Sequence, residues 1–380
     1  MTALSIQVSP ERLDSGARAM KAPRVGFYGF GAMARAIARE CISRRAQVTA
    51  VVDPEFAGAS LVDLVDLGDP DGEAGPLTEI VVGADSRGLE QAPPDVVIHS
   101  TPRESDLAGQ LDEIVATGSN VISISGITHI WQEQPAWAES IDAAAKSAGA
   151  TVVGTGINPG FLLEALPVFL SSVCADLTAI SAWRLANLDE FGASVMETCG
   201  INLTEDDFEQ KVANGDLPLH TEGRQSIDFI ADALQWPIRD TTESRVPILT
   251  SKERHGRAVT VRAGHVCGYR HRFIANAERD REIRLEVCGL LSPTAQDGVP
   301  LQTQITLSGR PTMHLTLGGD IVDHPADGVV GRVCNLVPWV LRARAGLVSV
   351  GEVPVTGAAL SRTWDELAQP ARTTRDRDDA

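Results

Sequence analysis

Several features that would direct a protein to a membrane, a metal or a nucleic acid are missing from these 380 residues. No apolar run approaches the ~20 residues that a membrane-spanning helix needs. The six cysteines form no CxxC pair, and the histidines and cysteines show no metal-ligand spacing. A formal net charge of −18 disfavours nucleic acid and anionic membranes as partners. We therefore expect no metal, no nucleic-acid partner and no membrane attachment.

A secretory signal is also missing, because the first residues show no basic segment followed by an apolar one. The scattered cysteines argue against a disulfide framework and fit a reducing compartment. Both absences predict a cytoplasmic protein.

The pattern of apolar residues changes along the chain. Up to about residue 154, short β-branched runs, among them 80–82, alternate with Ala-rich segments of helical period, which indicates a doubly wound parallel sheet of the Rossmann type. Later, helical segments at 161–174, 204–213 and 222–234 precede runs with period-two character, among them one near 257–263, which indicates a second α+β domain with a mostly antiparallel sheet. The predicted units are an N-terminal arm (1–22), a dinucleotide-binding Rossmann domain (23–157), a substrate and oligomerisation domain (158–361, its last helix packing back near the cleft) and a C-terminal tail (362–380).

A nucleotide fingerprint follows the first apolar run. Gly29-x-Gly31-x-x-Ala34 lies between a strand and an Ala-rich helix, where the first glycine permits a tight turn and the second lets the backbone approach a pyrophosphate. The N–H groups at the start of that helix favour phosphate oxygens. We expect the whole segment to bind the cofactor: Gly29, Phe30, Gly31, Ala32 and Met33.

Asp53 ends the second predicted strand, where a carboxylate accepts hydrogen bonds from ribose hydroxyls and repels a 2′-phosphate. No Lys or Arg occurs from Ala46 to Ser86, so no cation is evident for that phosphate. Alanine in the third fingerprint position points weakly the other way, toward NADP. The predicted cofactor is NAD, with NADP possible.

Two further strand ends are candidates for the cofactor's other half. Ser100, Thr101 and Pro102 follow the third strand, at the carboxyl edge of the predicted sheet. The neighbouring His99 is more simply explained as a satisfied histidine at a strand terminus. The segment VVGTGINPGF (152–161) ends a later strand with two glycines and Asn158, Pro159 and Gly160, as if the chain passed close to a flat ligand.

The signatures GFGAMA (29–34) and GTGINPGFLLEALP (154–167) resemble those of 2,4-diaminopentanoate dehydrogenases and related amine dehydrogenases, whose N-terminal domain resembles dihydrodipicolinate reductase. The resemblance covers roughly residues 24 to 356. It implies that the NPGF turn lies under the nicotinamide ring. Gly154 and Gly156 would then avoid a collision with the ring, and Asn158 would bind its carboxamide. The same segment is also a candidate hinge between the domains.

The resemblance fails at one position. Such enzymes have a glutamate after the corresponding strand, thought to handle the amine's proton, whereas VISISGITHIW (121–131) places Gly126 there. A lost carboxylate would remove a proton-transfer catalyst worth about 10²–10⁴-fold. Ser125 beside it remains a candidate to contact cofactor or a carbonyl oxygen. The candidate catalytic replacements are His129, in the same loop, Glu164, which the helix dipole would favour in any case, and His220, which matches a family histidine.

These residues predict an NAD(P)-dependent oxidoreductase that transfers hydride between nicotinamide and a C=O or C=N carbon of a small carbonyl, imine or amine substrate. The resemblance favours amine chemistry. The missing glutamate and His129 favour a carbonyl, alcohol or imine reductase, and an intact fingerprint without a catalytic acid would also suit a non-catalytic dinucleotide sensor. By analogy with two-domain dehydrogenases, we expect a homodimer.

Overall fold

The structure is a computed structural model, and it describes residues 22–65, 80–190, 193–217, 219, 222–353 and 358. The predicted arm up to residue 21 and the predicted tail 362–380 lie outside these residues. The described strands are β1 (Arg24–Tyr28), β2 (Gln47–Val52), β3 (Val96–His99), β4 (Asn120–Ser123), β5 (Thr151–Gly154), β6 (Asp176–Asn187), β7 (Ile238–Leu249), β8 (Arg254–His255), β9 (Thr260–Val261), β10 (Val266–Ala277), β11 (Arg281–Leu290), β12 (Thr303–Arg310), β13 (Met313–Leu317) and β14 (Gly346–Val348).

The described α-helices are α1 (Ala32–Ser43), α2 (Leu61–Leu64), α3 (Arg87–Gln91), α4 (Leu107–Ala116), α5 (Pro135–Ala148), α6 (Leu166–Ser171), α7 (Ala193–Thr198), α8 (Glu205–Asn214), α9 (Gly223–Leu234), α10 (Asp320–Asp323) and α11 (Pro325–Val340). A π-helical turn, Phe161–Ala165, runs directly into α6.

The first sheet is parallel throughout, in the order β14-β5-β4-β3-β1-β2. Its central strands are apolar on both faces because helices cover both: β3 and β5 are buried along their whole length. One buried cluster joins the sheet to α1 and α11, and another joins it to α4 and α5. The prediction of a Rossmann-type doubly wound sheet is confirmed.

The second sheet has the order β13-β12-β6-β11-β10-β7, with β6 and β11 parallel and the other neighbours antiparallel. Helix α9 covers it with apolar residues, among them Ile227 and Ile230, which belong to the same buried cluster as Phe273 and Leu285 of the sheet. A second α+β domain with a mostly antiparallel sheet is therefore also confirmed.

Two local strand predictions were wrong, and one strand was not predicted. Residues 80–82 form only an isolated bridge at Val81 rather than a strand, and 257–263 contains only the short strand β9. The long strand β6, which directly follows the helix predicted over 161–174, was not predicted. The first sheet also includes β14 from the far end of the chain, beside β5. Helix α11 packs against α1, where Cys41 Sγ and Cys334 Sγ lie 3.8 Å apart.

Candidate functional site

The glycine-rich loop joins β1 to α1 at the carboxyl edge of the first sheet. Gly29 has a φ of +83°, and a Cβ there would lie 2.5 Å from the carbonyl oxygen of Ser100, so the protein's own backbone requires glycine. Gly31 is different: its φ is −67°, and no described atom lies within 4 Å of an added Cβ. Neither conformation nor packing requires glycine at 31, which fits close approach by a ligand.

The start of α1 has the features of a phosphate site. Gly31 and Ala32 are exposed and Met33 is half-buried. No side chain of the described residues caps this helix, so no side chain competes with a ligand for its first N–H groups. Phe30, in contrast, is fully buried, and its contribution to a ligand is restricted to its backbone.

Asp53 lies beside this loop. Its Oδ2 accepts a hydrogen bond from the Phe30 N–H at 2.6 Å, and its Oδ1 accepts one from the Glu55 N–H at 2.9 Å. The carboxylate therefore stiffens the glycine loop while remaining half-exposed at the strand end.

The sequence search for a cation near Asp53 missed Arg35. This residue lies on α1, outside the interval from 46 to 86, and its guanidinium stacks 4.6 Å from the centre of the Phe56 ring. Its Nε also donates to the Phe30 carbonyl oxygen at 3.1 Å. A cation thus lies next to the Asp53 loop, which the linear sequence did not show.

The end of β3 is organised by a buried histidine. His99 Nδ1 is 2.9 Å from Ser123 Oγ, and its Nε2 is 2.9 Å from Gln110 Oε1. Burial lowers the pKa of His99 below its ordinary value, and the Gln110 hydrogen bond offsets this effect only in part. His99 is a satisfied structural histidine, as expected. It supports Thr101, whose Oγ1 also donates to Gln110 Oε1, while the adjoining Ser100 and Pro102 remain partly or fully exposed.

The loop after β4 contacts both domains. Ser125 Oγ donates to the carbonyl oxygen of Thr101 at 2.9 Å, which joins the ends of β3 and β4. From α9, Gln225 Nε2 donates to the Gly126 carbonyl oxygen at 3.0 Å, and Gln225 Oε1 accepts from the His129 N–H at 2.9 Å. One glutamine of the second domain therefore holds this loop at two points.

His129 is buried and directed toward α9. Its Nε2 lies 2.8 Å from Asp232 Oδ2, and its ring packs edge-on against Phe229 at 5.9 Å between ring centres. A role for His129 in proton transfer stays a prediction, since these contacts place the ring against α9.

The asparagine turn follows β5 at the same sheet edge. A Cβ on Gly154 would lie 2.2 Å from the Ile127 carbonyl oxygen, and one on Gly156 would lie 2.7 Å from the Pro159 carbonyl oxygen. The protein's own backbone therefore already excludes side chains at these two glycines. The expectation that a nicotinamide ring lies against them stays a prediction. The Asn158–Pro159 bond is cis, and Gly160 has a φ of +124°.

Glu164 fixes this turn from behind. It is fully buried in the π-helical turn, its Oε2 accepts from the Gly160 N–H at 2.8 Å, and its Oε1 accepts from Ser226 Oγ on α9. Burial raises the pKa of the Glu164 carboxyl above its ordinary value. These hydrogen bonds and the charge of Arg184 offset this effect only in part. Its predicted catalytic role is untested. His220, the third catalytic candidate, lies outside the described residues.

Two residues at this edge escaped sequence analysis entirely. Glu222, directly before α9, forms an ion pair with Arg103 from the loop after β3. Both side chains lie next to Gly126: an added Cβ there would be 3.1 Å from Glu222 Oε1 and 3.2 Å from Arg103 Nε. No spacing rule links positions so distant in the chain, and only the fold brings them together.

The chain is similar to several known proteins. The family model of the 2,4-diaminopentanoate dehydrogenase C-terminal domain matches residues 161–369, more than half of the chain. The chain belongs to the 2,4-diaminopentanoate dehydrogenase family. A curated 2,4-diaminopentanoate dehydrogenase from Acetoanaerobium sticklandii is 27% identical over 358 residues, covering 93% of this chain and 99% of that protein.

Solved structures share the fold. The amine dehydrogenase from Mycobacterium smegmatis has a TM-score of 0.77 at 23% identity, covering 89% of this chain and 97% of that one. A UDP-N-acetylglucosamine 3-dehydrogenase from Acidithiobacillus ferrooxidans has a TM-score of 0.52 at 12% identity, covering 92% of this chain and 96% of the other.

Family membership and the fingerprint geometry together make this member of the 2,4-diaminopentanoate dehydrogenase family an NAD(P)-dependent dehydrogenase, as predicted. Helices within the described ranges are all too short or too polar to cross a bilayer. Four points stay predictions: the preference for NAD over NADP, the substrate, the cytoplasmic location and the homodimer.

Proposed function

We propose that this chain is an NAD-dependent dehydrogenase that transfers hydride between the nicotinamide and the C=N or C=O carbon of a small substrate, with amine chemistry as its main activity. The observation that best supports it is Gly31. Its φ is ordinary and the space around it is open, so neither the backbone conformation nor the packing of the described residues requires glycine there. The asparagine turn lies at the carboxyl edge of the same parallel sheet, where dinucleotides bind in such folds.

The residues present fit a dinucleotide along this edge. The N–H groups of Gly31, Ala32 and Met33 would hold the pyrophosphate, and Asp53 the adenosine ribose. Ser100, Thr101, Pro102 and Ser125 would line the path between the two ends. The Asn158 amide both donates and accepts, so it is suited to a carboxamide, and Pro159 and Gly160 shape its turn.

NAD is proposed over NADP because the Asp53 carboxylate would repel a 2′-phosphate in the space that it shares with the ribose. Arg35 is the cation that such a phosphate would meet. Its guanidinium is already engaged by the Phe56 ring and the Phe30 carbonyl oxygen, so we expect NADH to bind more tightly than NADPH.

When bound, the nicotinamide supplies or accepts the hydride at its C4. The chain's own groups orient it and exclude water. Glu164 anchors the asparagine turn through Gly160, and Gln225 holds the loop after β4. We assign both Glu164 and His129 to positioning, since their hydrogen bonds are directed to the turn and to α9 respectively.

An ammonia-dependence assay tests the proposal. Purified protein is incubated with NADH and a panel of small ketones and aldehydes, with and without ammonium, and then with NAD and 2,4-diaminopentanoate, for which the curated relative is named. We expect NADH oxidation only when carbonyl and ammonium are both present. Fluorescence titration with NADH and NADPH in parallel measures the cofactor preference.

Each other outcome contradicts the proposal in a defined way. Turnover that ignores ammonium would show a carbonyl reductase of the same fold. Tight NADH binding without turnover on any substrate of the panel would show a dinucleotide sensor. Failure to bind either cofactor would remove the basis for hydride chemistry.

A further inference from the structure

The space beside Gly126 contains a carboxylate. A side chain at position 126 would run directly into Glu222 Oε1 and Arg103 Nε, at 3.1 and 3.2 Å from its Cβ. Gly126 itself has a φ of +87°, a conformation that disfavours any side chain. Position 126 thus provides no acid, and Glu222 from the second domain contributes one at the same place.

Glu222 is held at this place from several directions. Its carbonyl oxygen accepts from the Ser226 N–H at 2.9 Å and from Ser226 Oγ at 3.0 Å, which starts α9. Ser226 Oγ also donates to Glu164, which anchors the asparagine turn. One residue away from Ser226, Gln225 ties α9 to Gly126. The backbone of Glu222 is therefore fixed relative to both the loop after β4 and the turn after β5.

The ion pair with Arg103 is asymmetric. The Glu222 side chain is 3% exposed, whereas that of Arg103 is 40% exposed. A buried carboxylate is costly without a positive neighbour, and Arg103 supplies that charge from the solvent side. A cationic substrate entering this space would provide a second positive partner for the same carboxylate.

We propose that Glu222 is the catalytic carboxylate of this chain, recognising the substrate's ammonium and exchanging its proton. This inference rests on the proposed function. In the oxidative direction, an N–H bond of the ammonium breaks and its proton passes to Glu222. The hydride then leaves carbon for the cofactor, and the nitrogen lone pair closes the C=N bond.

Hydrolysis of the resulting iminium completes the balance. A water molecule adds to the C=N carbon and loses a proton to the carboxylate, which has already released the first proton to solvent. The hydroxyl proton then passes to nitrogen, the C–N bond breaks as the C=O bond forms, and the ammonia released takes up a proton. The protonated amine, NAD⁺ and water thus become carbonyl, ammonium, NADH and one proton. Once Glu222 has released the first proton, its negative charge stabilises the iminium.

The test compares Glu222→Gln with the wild-type enzyme on the most active amine and carbonyl of the panel above. We expect kcat to fall by about 100-fold or more, in both directions, because a general acid–base is lost. The affinity of the enzyme–NADH complex for that amine, measured by calorimetry, should fall about tenfold. The affinity for the alcohol of the same shape should change little.

Three controls separate catalysis from architecture. Glu139→Gln removes an exposed carboxylate of α5 and should leave both quantities unchanged. Glu222→Asp should restore part of kcat. Arg103→Met removes the competing cation and should bind the amine at least as tightly as the wild type, whereas a purely structural ion pair would make it resemble Glu222→Gln.

The inference is overturned if Glu222→Gln, folded by circular dichroism, keeps kcat and amine affinity within about threefold of wild type. It is equally overturned if amine and alcohol affinities fall together. Failure of the proposed function is a separate result, because it appears as wild-type protein without ammonium-dependent turnover, before any variant is made.

Discussion

Gly31 and Gly29 are neighbours in one motif, yet the protein requires them for different reasons. At Gly29 a positive φ and the Ser100 carbonyl oxygen exclude any side chain. At Gly31 neither reason applies among the described residues. The motif alone predicted both glycines, but only the structure distinguishes a glycine for the fold from one that leaves room for a ligand.

This difference predicts the effect of Gly31→Ala. The variant should fold with an unchanged melting temperature, since its methyl group enters open space, and should bind NADH at least about tenfold more weakly because the methyl group meets the pyrophosphate. Fluorescence titration and thermal unfolding measure the two effects.

Gly88→Ala is the matched control, because its Cβ would meet only Ala50 Cβ at an ordinary 4.0 Å. It should leave the NADH affinity unchanged, and any change in its melting temperature should be a rise, because alanine is favoured over glycine in a helix. Equal NADH affinity in Gly31→Ala and wild type would disprove the close approach.

At the scale of elements, α9 connects the second domain to the site. Its first turns present Gln225 and Ser226 to the loop after β4 and to Glu164. Its apolar side packs on the second sheet through Ile227 and Ile230. The sequence predicted a helix over 222–234 from its period, and the structure has it at Gly223–Leu234. What it contacts could not be predicted, because helical period does not specify a partner.

The clamp by α9 predicts that Gln225→Leu destabilises the loop after β4. The substitution leaves the buried His129 N–H and the Gly126 carbonyl oxygen without their partner, which should cost about 1–3 kcal/mol of unfolding free energy. Denaturant unfolding measures the loss, and hydrogen exchange should speed up at residues 126–130.

The neighbouring Arg224→Leu removes an exposed side chain paired with Glu243 at 3.3 Å, and should cost about 1 kcal/mol or less. Equal stability of the two variants would mean that the clamp contributes nothing.

On the scale of the whole molecule, the excess of acidic residues leaves carboxylates close together. Asp228 on α9 is half-buried near Glu133 and Asp232, with Arg224 as a compensating cation. Burial, then repulsion from Glu133 and Asp232, raises the pKa of Asp228 to about 6. A carboxyl whose pKa is higher in the folded than in the unfolded chain favours folding at low pH. That contribution is lost as pH rises through about 6.

Asp228→Asn should therefore be more stable than wild type at neutral pH. We expect a gain of about 1–2 kcal/mol near pH 7.5, reduced from the full linkage value because the group is only half-buried. The gain should shrink between pH 6 and 4 and vanish below the ordinary pKa of an aspartate. Thermal unfolding across this range checks it, and a pH-independent difference would contradict the cause.

The local part of the site was determined by sequence. The glycine fingerprint, the carboxylate of Asp53 and the alternation of strands and helices depend on neighbours within a few residues or one βαβ unit, so their patterns specify them. Family resemblance extended this to the asparagine turn. It also identified the absence of an acid at Gly126.

Only the tertiary structure decided what fills that absence. Glu222 reaches Gly126, Arg35 reaches the Asp53 loop, and β14 joins β5, each across a long stretch of chain. Such contacts depend on how helices and sheets pack, and many spacings along the chain produce the same packing. The dinucleotide-binding edge was therefore predictable from sequence, whereas the carboxylate proposed to act there depends on the contacts of α9 with the loop after β4 and with Glu164.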